Sequence, residues 1–190
     1  MNAMLECEWM WLAWFVVWMI WAAQSKRTQQ KESWASNMSH GIPFGASIYL
    51  LFFAQNLPGL WQHIMLPYRS WMNSVGVVIS VLGFALVFWA RAVLGGNWSG
   101  SVTVKVEHEL ICTGPYRWVR HPIYTGLILA MIGTAITLDR WRGVVAVILL
   151  WIAFTFKRLK EELFMRQTFG DQYVEYSKNT GAIIPLFLRR

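Results

Sequence analysis

Residues 121–160 read HPIYTGLILAMIGTAITLDRWRGVVAVILLWIAFTFKRLK and contain two apolar runs of nearly equal length. The first run, 121–138, and the second, 141–160, are separated only by Asp139 and Arg140. A link of two residues forces the second helix to run back antiparallel to the first. At 1.5 Å per residue the helices rise about 27 and about 30 Å, so the sequence predicts a hairpin that returns the chain to its starting depth.

Long apolar runs also dominate the rest of the chain, which is 56% hydrophobic and only 14% charged. A hydrocarbon core about 30 Å thick takes roughly 20 apolar residues per helix, and residues 9–23, 43–66 and 71–94 come near that length. This composition is typical of integral membrane proteins. The predicted fold is an all-α polytopic membrane protein with about five transmembrane helices, three of them within residues 1–90.

The three N-terminal segments differ in character. Acidic residues before the first segment and basic residues after it reverse the charge order of a secretory signal peptide, so we expect this segment to be retained as a span. Pro58 lacks a backbone N–H and predicts a kink in the second segment. Gly76, Ser80 and Gly83 form a stripe of small residues that would let a neighbouring helix approach the third segment closely.

The basic residues indicate an orientation, because the cytoplasmic loops of membrane proteins hold most lysines and arginines. With the N-terminus outside, the cytoplasmic loops and the C-terminal tail would hold 14 of the 17 lysines and arginines. We therefore expect the C-terminus and any site near it to be cytoplasmic. The net charge of +7 then indicates contact with anionic lipid headgroups in the bilayer, and it does not indicate nucleic acid as a partner.

The predicted hairpin brings two polar clusters to one level at the membrane boundary. Arg120 and His121 stand at its start, and residues 157–162, KRLKEE, stand at its end. Arg120 and the backbone N–H groups just before Pro122 could bind an anion, while the acidic pair and nearby aromatic rings could hold a cation or an aromatic base. Such a set suits a zwitterionic, nucleotide-like cofactor. The same residues could equally serve only to anchor helix ends among the headgroups.

No metal site is predicted from the cysteines. Cys7 and Cys112 are the only two, they lack metal-ligand spacing, and the predicted topology places them on opposite sides of the membrane. They therefore cannot form a disulfide with each other, and both are interpreted as small apolar residues.

Several motifs resemble those of a known family. Residues 114–126, GPYRWVRHPIYTG, resemble the G-P-Y-x-x-x-R-H-P-x-Y-x-G signature of the isoprenylcysteine carboxyl methyltransferase family, which includes phospholipid N-methyltransferases. Residues 161–176, EELFMRQTFGDQYVEY, resemble its E-E and F-G-x-x-Y-x-x-Y block. Residues 108–110 and 94–99 are similar to its H-x-L and L-G-x-x-W-S elements. The resemblance covers residues 90–186, about half of the chain.

The resemblance implies an S-adenosylmethionine-dependent methyltransferase whose catalytic region, residues 91–190, has a cofactor-binding loop, the hairpin and a C-terminal tail around a cytoplasmic pocket. Arg120 would be a functional arginine near the reacting groups, and Glu162 or His121 would be the base if the acceptor were an amine. Lys157, where the family has arginine, and Arg158 would contact the substrate. The residues implied to line the cofactor are His108, Glu109, Leu110, Ile111, Tyr116, His121, Pro122, Ile123, Tyr124 and Glu161.

The acceptor is left open by the sequence. The carboxylate of a lipophilic, isoprenylcysteine-like molecule is the preferred prediction, since it is ionised at neutral pH and needs no base. A phospholipid amine, an NADPH-dependent membrane reductase of the sterol type and a non-catalytic membrane scaffold are the alternatives. Residues 179–185, NTGAIIP, lack the V-P of the family, so this end of the pocket could differ.

Overall fold

The computed structural model describes residues 3–23, 28–31, 33–64, 70–98, 103–105 and 109–186. Short 3₁₀ turns occupy Ala54–Asn56, Gly59–Gln62, Gly95–Asn97 and Gly114–Arg117, and a π-helical turn occupies Tyr49–Phe53. In chain order, the main elements of these ranges are α1 (Ala3–Ala22), β1 (Thr28–Lys31), α2 (Trp34–Ile48), α3 (Ser70–Leu94), β2 (Thr103–Lys105), α4 (Pro122–Leu138), α5 (Trp141–Phe169) and α6 (Asp171–Asn179).

Strands β1 and β2 form an antiparallel ribbon that the all-α prediction did not include. The ribbon joins the loops that follow α1 and α3. These loops leave the bundle at the same end, because Arg91 near the end of α3 donates a hydrogen bond to the carbonyl of Trp21 near the end of α1. Two short polar segments held side by side in this way can pair their backbone groups without any apolar alternation in their sequence.

Helices α4 and α5 form the predicted hairpin. Asp139 ends α4 in the left-handed conformation, with φ 49° and ψ 47°, and α5 begins two residues later. The prediction that the fifth segment ends near Lys160 was wrong, since α5 continues to Phe169 and stops at Gly170, whose φ is 51°. The apolar run ends near Lys157, but the charged residues beyond it favour helix and extend α5 past the predicted membrane segment.

Helices α3 and α4 pack closely along the predicted stripe of small residues. A Cβ atom on Gly83 would lie 2.5 Å from the backbone nitrogen of Ala130 and 2.6 Å from the carbonyl oxygen of Gly126. Ser80 is fully buried and donates a hydrogen bond to the carbonyl of Ala130 at 3.1 Å. This confirms the predicted close approach and explains why no larger side chain occupies these positions.

Helix α1 begins at Ala3 and is therefore longer than the predicted segment, residues 9–23. Its first turns are held in place because Cys7 is fully buried against α3 and α4, and Trp11 donates a hydrogen bond to Thr134 at 3.0 Å. The opposite face carries exposed apolar side chains such as Trp9 and Ile20, as a lipid-facing surface requires. Within the described residues, two helices, Ala3–Ala22 and Trp71–Asn97, are long and apolar enough to cross a membrane by length and composition.

Helix α2 starts earlier than predicted, at Trp34 rather than Pro43. The side chain of Ser33 caps it by accepting a hydrogen bond from the Ser36 N–H at 3.2 Å, a signal that apolar periodicity does not reveal. The predicted kink at Pro58 is also wrong, because the helical turns end before Pro58 and Leu57 is extended, with ψ 128°. A residue that precedes proline is sterically disfavoured in the α conformation, so the helix stops instead of bending.

Helix α2 runs antiparallel to α5. At one end Lys160 donates hydrogen bonds to the Ser36 carbonyl at 2.8 Å and to the Ser39 hydroxyl at 2.5 Å. At the other end the buried Arg142 donates to the carbonyls of Leu50 and Leu51 at 2.9 and 3.1 Å. These carbonyls lie in the π-helical turn, where the regular hydrogen bonding of the α-helix is interrupted. Arg142 therefore supplies hydrogen bonds to backbone groups that surrounding lipid could not provide.

Candidate active site

The hairpin places the two predicted polar clusters in direct contact. His121 lies immediately before α4, and both nitrogens of its ring face carboxylates of α5. Its Nδ1 is 3.4 Å from Glu161 Oε2, and its Nε2 is 3.3 Å from Glu162 Oε1. The expectation that the acidic pair returns to the start of α4 is confirmed. Because the two glutamates contact opposite sides of one imidazole, the three groups pair with each other and do not converge on a common ion.

Arg120 joins the hairpin to the C-terminal part of the chain. Its Nη2 and Nε lie 3.1 and 3.3 Å from Glu162 Oε1. Its Nη1 donates to the carbonyl of Ser177 at 3.0 Å and also to the carbonyl of Thr180. The side chains of Arg120 and Glu162 are only 11% and 10% exposed, and Arg158 lies 3.6 Å from the same carboxylate oxygen. Arg120 therefore holds α5 and the end of α6 against the start of α4.

The charges in this cluster stabilise one another. Burial opposes ionisation of Glu162, but its hydrogen bond with His121 and the charge of Arg120 outweigh burial and lower its pKa to about 2. Burial likewise opposes the charge on His121, but hydrogen bonds with Glu161 and Glu162 raise its pKa above the ordinary value. The cluster therefore favours an imidazolium ion between two carboxylates.

Tyr124 continues the cluster into an aromatic wall. Its hydroxyl lies 2.6 and 2.7 Å from the two carboxylate oxygens of Glu161, to which it donates. Its ring stacks on His121 with 5.2 Å between centroids and on Phe154 with 4.4 Å. The ammonium group of Lys157 lies 5.7 Å from the centre of the Tyr124 ring. Burial alone would raise the pKa of Glu161, but His121 and Lys157 lower it below its usual range.

The backbone N–H groups that were predicted to meet an anion are already bonded. The N–H of Arg120 donates to the carbonyl of Gly181 at 2.8 Å, and the N–H of His121 donates to the carbonyl of Ala182 at 3.0 Å. The Gly181 N–H returns a hydrogen bond to the carbonyl of Trp118 at 3.1 Å. That prediction was wrong, since the sequence before Pro122 gives no sign that the C-terminal segment pairs with it.

A cavity of about 410 Å³ opens beside the cluster. Helices α1, α2, α4, α5 and α6, the end of α3 and the loop before Gly114 all contribute to its wall. The wall is mainly aromatic and aliphatic, with charged groups concentrated near the end of α5. The lining residues include Trp14, Trp18, Asn37, His40, Phe44, Asn97, Trp98, Tyr116, Leu127, Phe154, Phe164, Tyr173 and Tyr176.

Most of the residues predicted from the sequence lie on this wall. Glu162 and Arg158 lie outside the lining, next to Arg120, and Pro122 is buried in the first turn of α4. His108 lies outside the described residues. The predicted residues that line the cavity are Glu109, Leu110, Ile111, Tyr116, Arg120, His121, Ile123, Tyr124, Lys157 and Glu161.

Sequence reasoning missed the part of the wall that comes from the N-terminal helices. Asn37, His40 and Phe44 lie on one face of α2 and line the cavity, although only His40 is a residue type that could have suggested a site. Trp14 Nε1 and Asn97 Oδ1 are buried and have no hydrogen-bond partner among the described residues. A donor and an acceptor left unpaired on a cavity wall suit a ligand that has polar edges.

The fold is a helical bundle with a cavity at one end, where His121 and Glu161 line the wall and Glu162 contacts His121 from outside the lining. A family model for phospholipid methyltransferases matches residues 71–172, more than half of the chain. The chain belongs to the phospholipid methyltransferase family.

Its relatives include proteins named for isoprenylcysteine. Protein-S-isoprenylcysteine O-methyltransferase B of Arabidopsis thaliana is 30% identical over 131 residues, covering 67% of this chain and 64% of that protein. The Mus musculus protein-S-isoprenylcysteine O-methyltransferase is 27% identical over 154 residues, covering 78% of this chain and 53% of that protein. The chain therefore spans between half and two thirds of the length of these relatives.

A solved structure supports the same fold. The eukaryotic intramembrane Ras methyltransferase, isoprenylcysteine carboxyl methyltransferase, matches with a TM-score of 0.58 and 26% identity, covering 80% of this chain and 51% of that one. This likeness and the apolar helices of the chain together identify it as an integral membrane protein.

Proposed function

We propose that this protein is a membrane-embedded methyltransferase that uses S-adenosylmethionine to methylate the carboxylate of a lipophilic, isoprenylcysteine-like acceptor. The observation that carries the proposal is the contact of His121 with Glu161 and Glu162 beside a largely aromatic cavity of about 410 Å³. Cavities that bind small molecules have about this size and combine apolar walls with a few polar groups.

The residues present fit S-adenosylmethionine. Its sulfonium is a cation that aromatic faces and a carboxylate stabilise, and the cavity wall contains both, in rings such as those of Trp18 and Tyr116 and in the carboxylate of Glu161. The unpaired Trp14 Nε1 and Asn97 Oδ1 add a donor and an acceptor for polar groups of a bound ligand. The cofactor would supply a methyl group, whose bond to sulfur breaks as the bond to the acceptor oxygen forms, leaving a neutral thioether.

The electrostatics of the cluster favour a carboxylate acceptor over the amine of a phospholipid. An ammonium group must lose a proton before it can attack, and Glu162 and His121 were the candidate bases. Glu162, with a pKa of about 2, is a poor proton acceptor, and the raised pKa of His121 favours the form that already holds a proton. A carboxylate is ionised at neutral pH and needs neither.

The chain's own residues then act mainly by positioning. Arg120 and Glu162 fix the start of α4 against α5 and α6, and His121 holds Glu161 at the edge of the cavity. Lys157, on the same face of α5 as Glu161, is placed to attract the acceptor's carboxylate. The aromatic wall excludes water, which strengthens these interactions and protects the methyl donor from hydrolysis.

We place the cavity on the cytoplasmic side and the N-terminus outside. The concentration of lysines and arginines around the C-terminal tail and the loops near the cavity supports this orientation. Cysteine accessibility to a membrane-impermeant reagent, measured from each side of sealed vesicles at single cysteines introduced into a Cys7→Ala, Cys112→Ala background, tests it.

Ligand binding and methyl transfer test the function. The detergent-solubilised protein should bind S-adenosylhomocysteine with at least micromolar affinity and NADPH weakly, as measured by isothermal titration; the opposite order would favour the reductase. Glu161→Ala and His121→Ala should both weaken S-adenosylhomocysteine binding. Radiolabelled methyl transfer to S-farnesyl-N-acetylcysteine but not to phosphatidylethanolamine would support the carboxylate acceptor. The reverse result would establish N-methylation, and transfer to neither would contradict the proposal.

A further inference from the structure

A histidine on α2 lies inside the cavity and has no role in the cluster described above. His40 is 6% exposed and lines the cavity with Asn37, Gly41 and Phe44. These four positions follow helical spacing, so they share one face of α2. His40 therefore places an imidazole, a side chain that can donate a hydrogen bond, on the cavity wall.

The packing of α2 on α5 shows which residue of α5 lies at the level of His40. Lys160 contacts Ser39 at 2.5 Å, and the ring of Phe154 lies 6.1 Å from the ring of Phe44. Because the helices are antiparallel, the step from Ser39 to Phe44 along α2 corresponds to the step from Lys160 back to Phe154 along α5. His40 therefore lies near the level of Lys157, which faces the same cavity one helical turn below Glu161.

The chemistry of these two residues is complementary to one ligand group. Imidazole has at least one N–H donor in either protonation state, and Lys157 supplies an ammonium group with three donors. Lysine binds a carboxylate as a point charge and lacks the fork of an arginine. A second donor, supplied by His40 on α2, would allow both oxygens of a carboxylate to accept a hydrogen bond.

We infer that His40 and Lys157 together bind the carboxylate of the acceptor, with His40 as a residue that sets the specificity for an acid. This inference rests on the proposed function and adds the substrate-recognition site to it. The carboxylate lies between α2 and α5, with one oxygen turned toward the wall formed by Tyr124 and Glu161, where the methyl group would be received. The lipophilic part of the acceptor then lies along the apolar face of Phe44 and Phe154.

Binding of a matched pair of probes tests the role of His40. The probes are S-farnesyl-N-acetylcysteine and its carboxamide, which differ only in the acidic group, and both are titrated into protein saturated with S-adenosylhomocysteine. The wild type should bind the acid about tenfold or more tightly than the carboxamide, because a hydrogen bond to a charged group contributes roughly this much. His40→Leu, which keeps the volume but removes the donor, should lose most of this preference and keep only the part that the ammonium group of Lys157 supplies. His40→Gln, which keeps a donor, should retain part of the preference.

Controls separate this inference from a packing role and from the proposed function. His63→Ala, at an exposed residue outside the cavity lining, should leave the preference unchanged. S-adenosylhomocysteine binding shows whether each variant is folded, and His40→Met replaces His40→Leu if the latter is not. In methyl transfer His40→Leu should raise KM for the acid about tenfold and change kcat less than twofold.

An unchanged preference for the acid in His40→Leu, or equal weakening of acid and carboxamide, would overturn the inference while leaving methyl transfer by the wild type intact. Absence of S-adenosylhomocysteine binding by the wild type would instead overturn the proposed function, and this inference with it.

Discussion

Replacing Arg120 by methionine should destabilise the protein by about 3 kcal/mol, because it removes a cation that pairs with the buried carboxylate of Glu162. Arg120 contacts Glu162 at 3.1 and 3.3 Å, and both side chains are about one tenth exposed. At this distance two unit charges attract by about 5 kcal/mol at an effective dielectric constant near 20, and breaking buried pairs costs about 3–5 kcal/mol. His121 and Arg158 remain beside the carboxylate, so the lower end of that range applies.

Thermal unfolding in detergent measures the effect. A loss of 3 kcal/mol lowers the melting temperature of a chain of this size by roughly 6–12 °C. Arg120→Met and Glu162→Gln should not be additive, since each removes the same contact, and their coupling should reach about 1–3 kcal/mol. Lys178→Met is the matched control, because it breaks an ion pair of similar length, 3.0 Å, whose side chains are 65% and 67% exposed. It should leave the melting temperature nearly unchanged, because water screens an exposed pair. Two results would refute the assignment of Arg120 as the residue that joins the hairpin to the C-terminal segment. One is a fall in melting temperature for Arg120→Met no larger than that of the control, and the other is full additivity of Arg120→Met and Glu162→Gln.

Three further predictions follow from single contacts. Glu161→Ala should raise the Kd of S-adenosylhomocysteine at least about tenfold, or about 1.4 kcal/mol, while His63→Ala should leave it unchanged. Equal Kd values for the two variants would indicate that the cofactor binds elsewhere. Gly83→Ala should destabilise the protein by about 1–3 kcal/mol, because the added Cβ would lie 2.5 Å from the backbone of α4. Gly45→Ala is the control, since its added Cβ would have no atom within 4 Å, and it should leave the melting temperature nearly unchanged. Because the fold lowers the pKa of Glu162 from 4.5 to about 2, up to about 3 kcal/mol of stability should be present above about pH 5 and lost as the pH falls toward 2. Glu161, whose pKa is also lowered, contributes in either protein, so a Glu162→Gln variant that loses as much stability as the wild type over this range would contradict the prediction.

The hairpin and its polar clusters could be predicted because local constraints determine them. Two apolar runs of equal length and a link of two residues allow only an antiparallel return, which brings Glu161 back to His121. The sequence likewise predicted a close neighbour for α3, since small residues such as Gly83 at helical spacing have few other uses in an apolar helix, but it did not show that this neighbour is α4. For the hairpin and for the stripe of small residues, the spacing of residues within one segment is enough to make the prediction.

Other features depend on contacts between distant segments that leave no local pattern. The start of α2 depends on a single cap at Ser33, and the position of His40 depends on how α2 packs on α5. The pairing of Gly181 and Ala182 with the residues before Pro122 joins loops about 60 residues apart in sequence. Backbone hydrogen bonds of this kind are nearly independent of side chains, so the sequence gives no sign of them.

That last pairing limits how the cavity can recognise an anion. With the N–H groups of Arg120 and His121 donated to the C-terminal segment, these two groups before α4 cannot serve as donors for a ligand. The guanidinium of Arg120 is likewise engaged with Glu162 and two carbonyls. Under the proposed function, recognition of the acceptor's carboxylate then falls to side chains on α2 and α5. On this proposal the N-terminal helices, which carry no motif, take a direct part in choosing the acceptor, separately from the His121 cluster that the motifs specify.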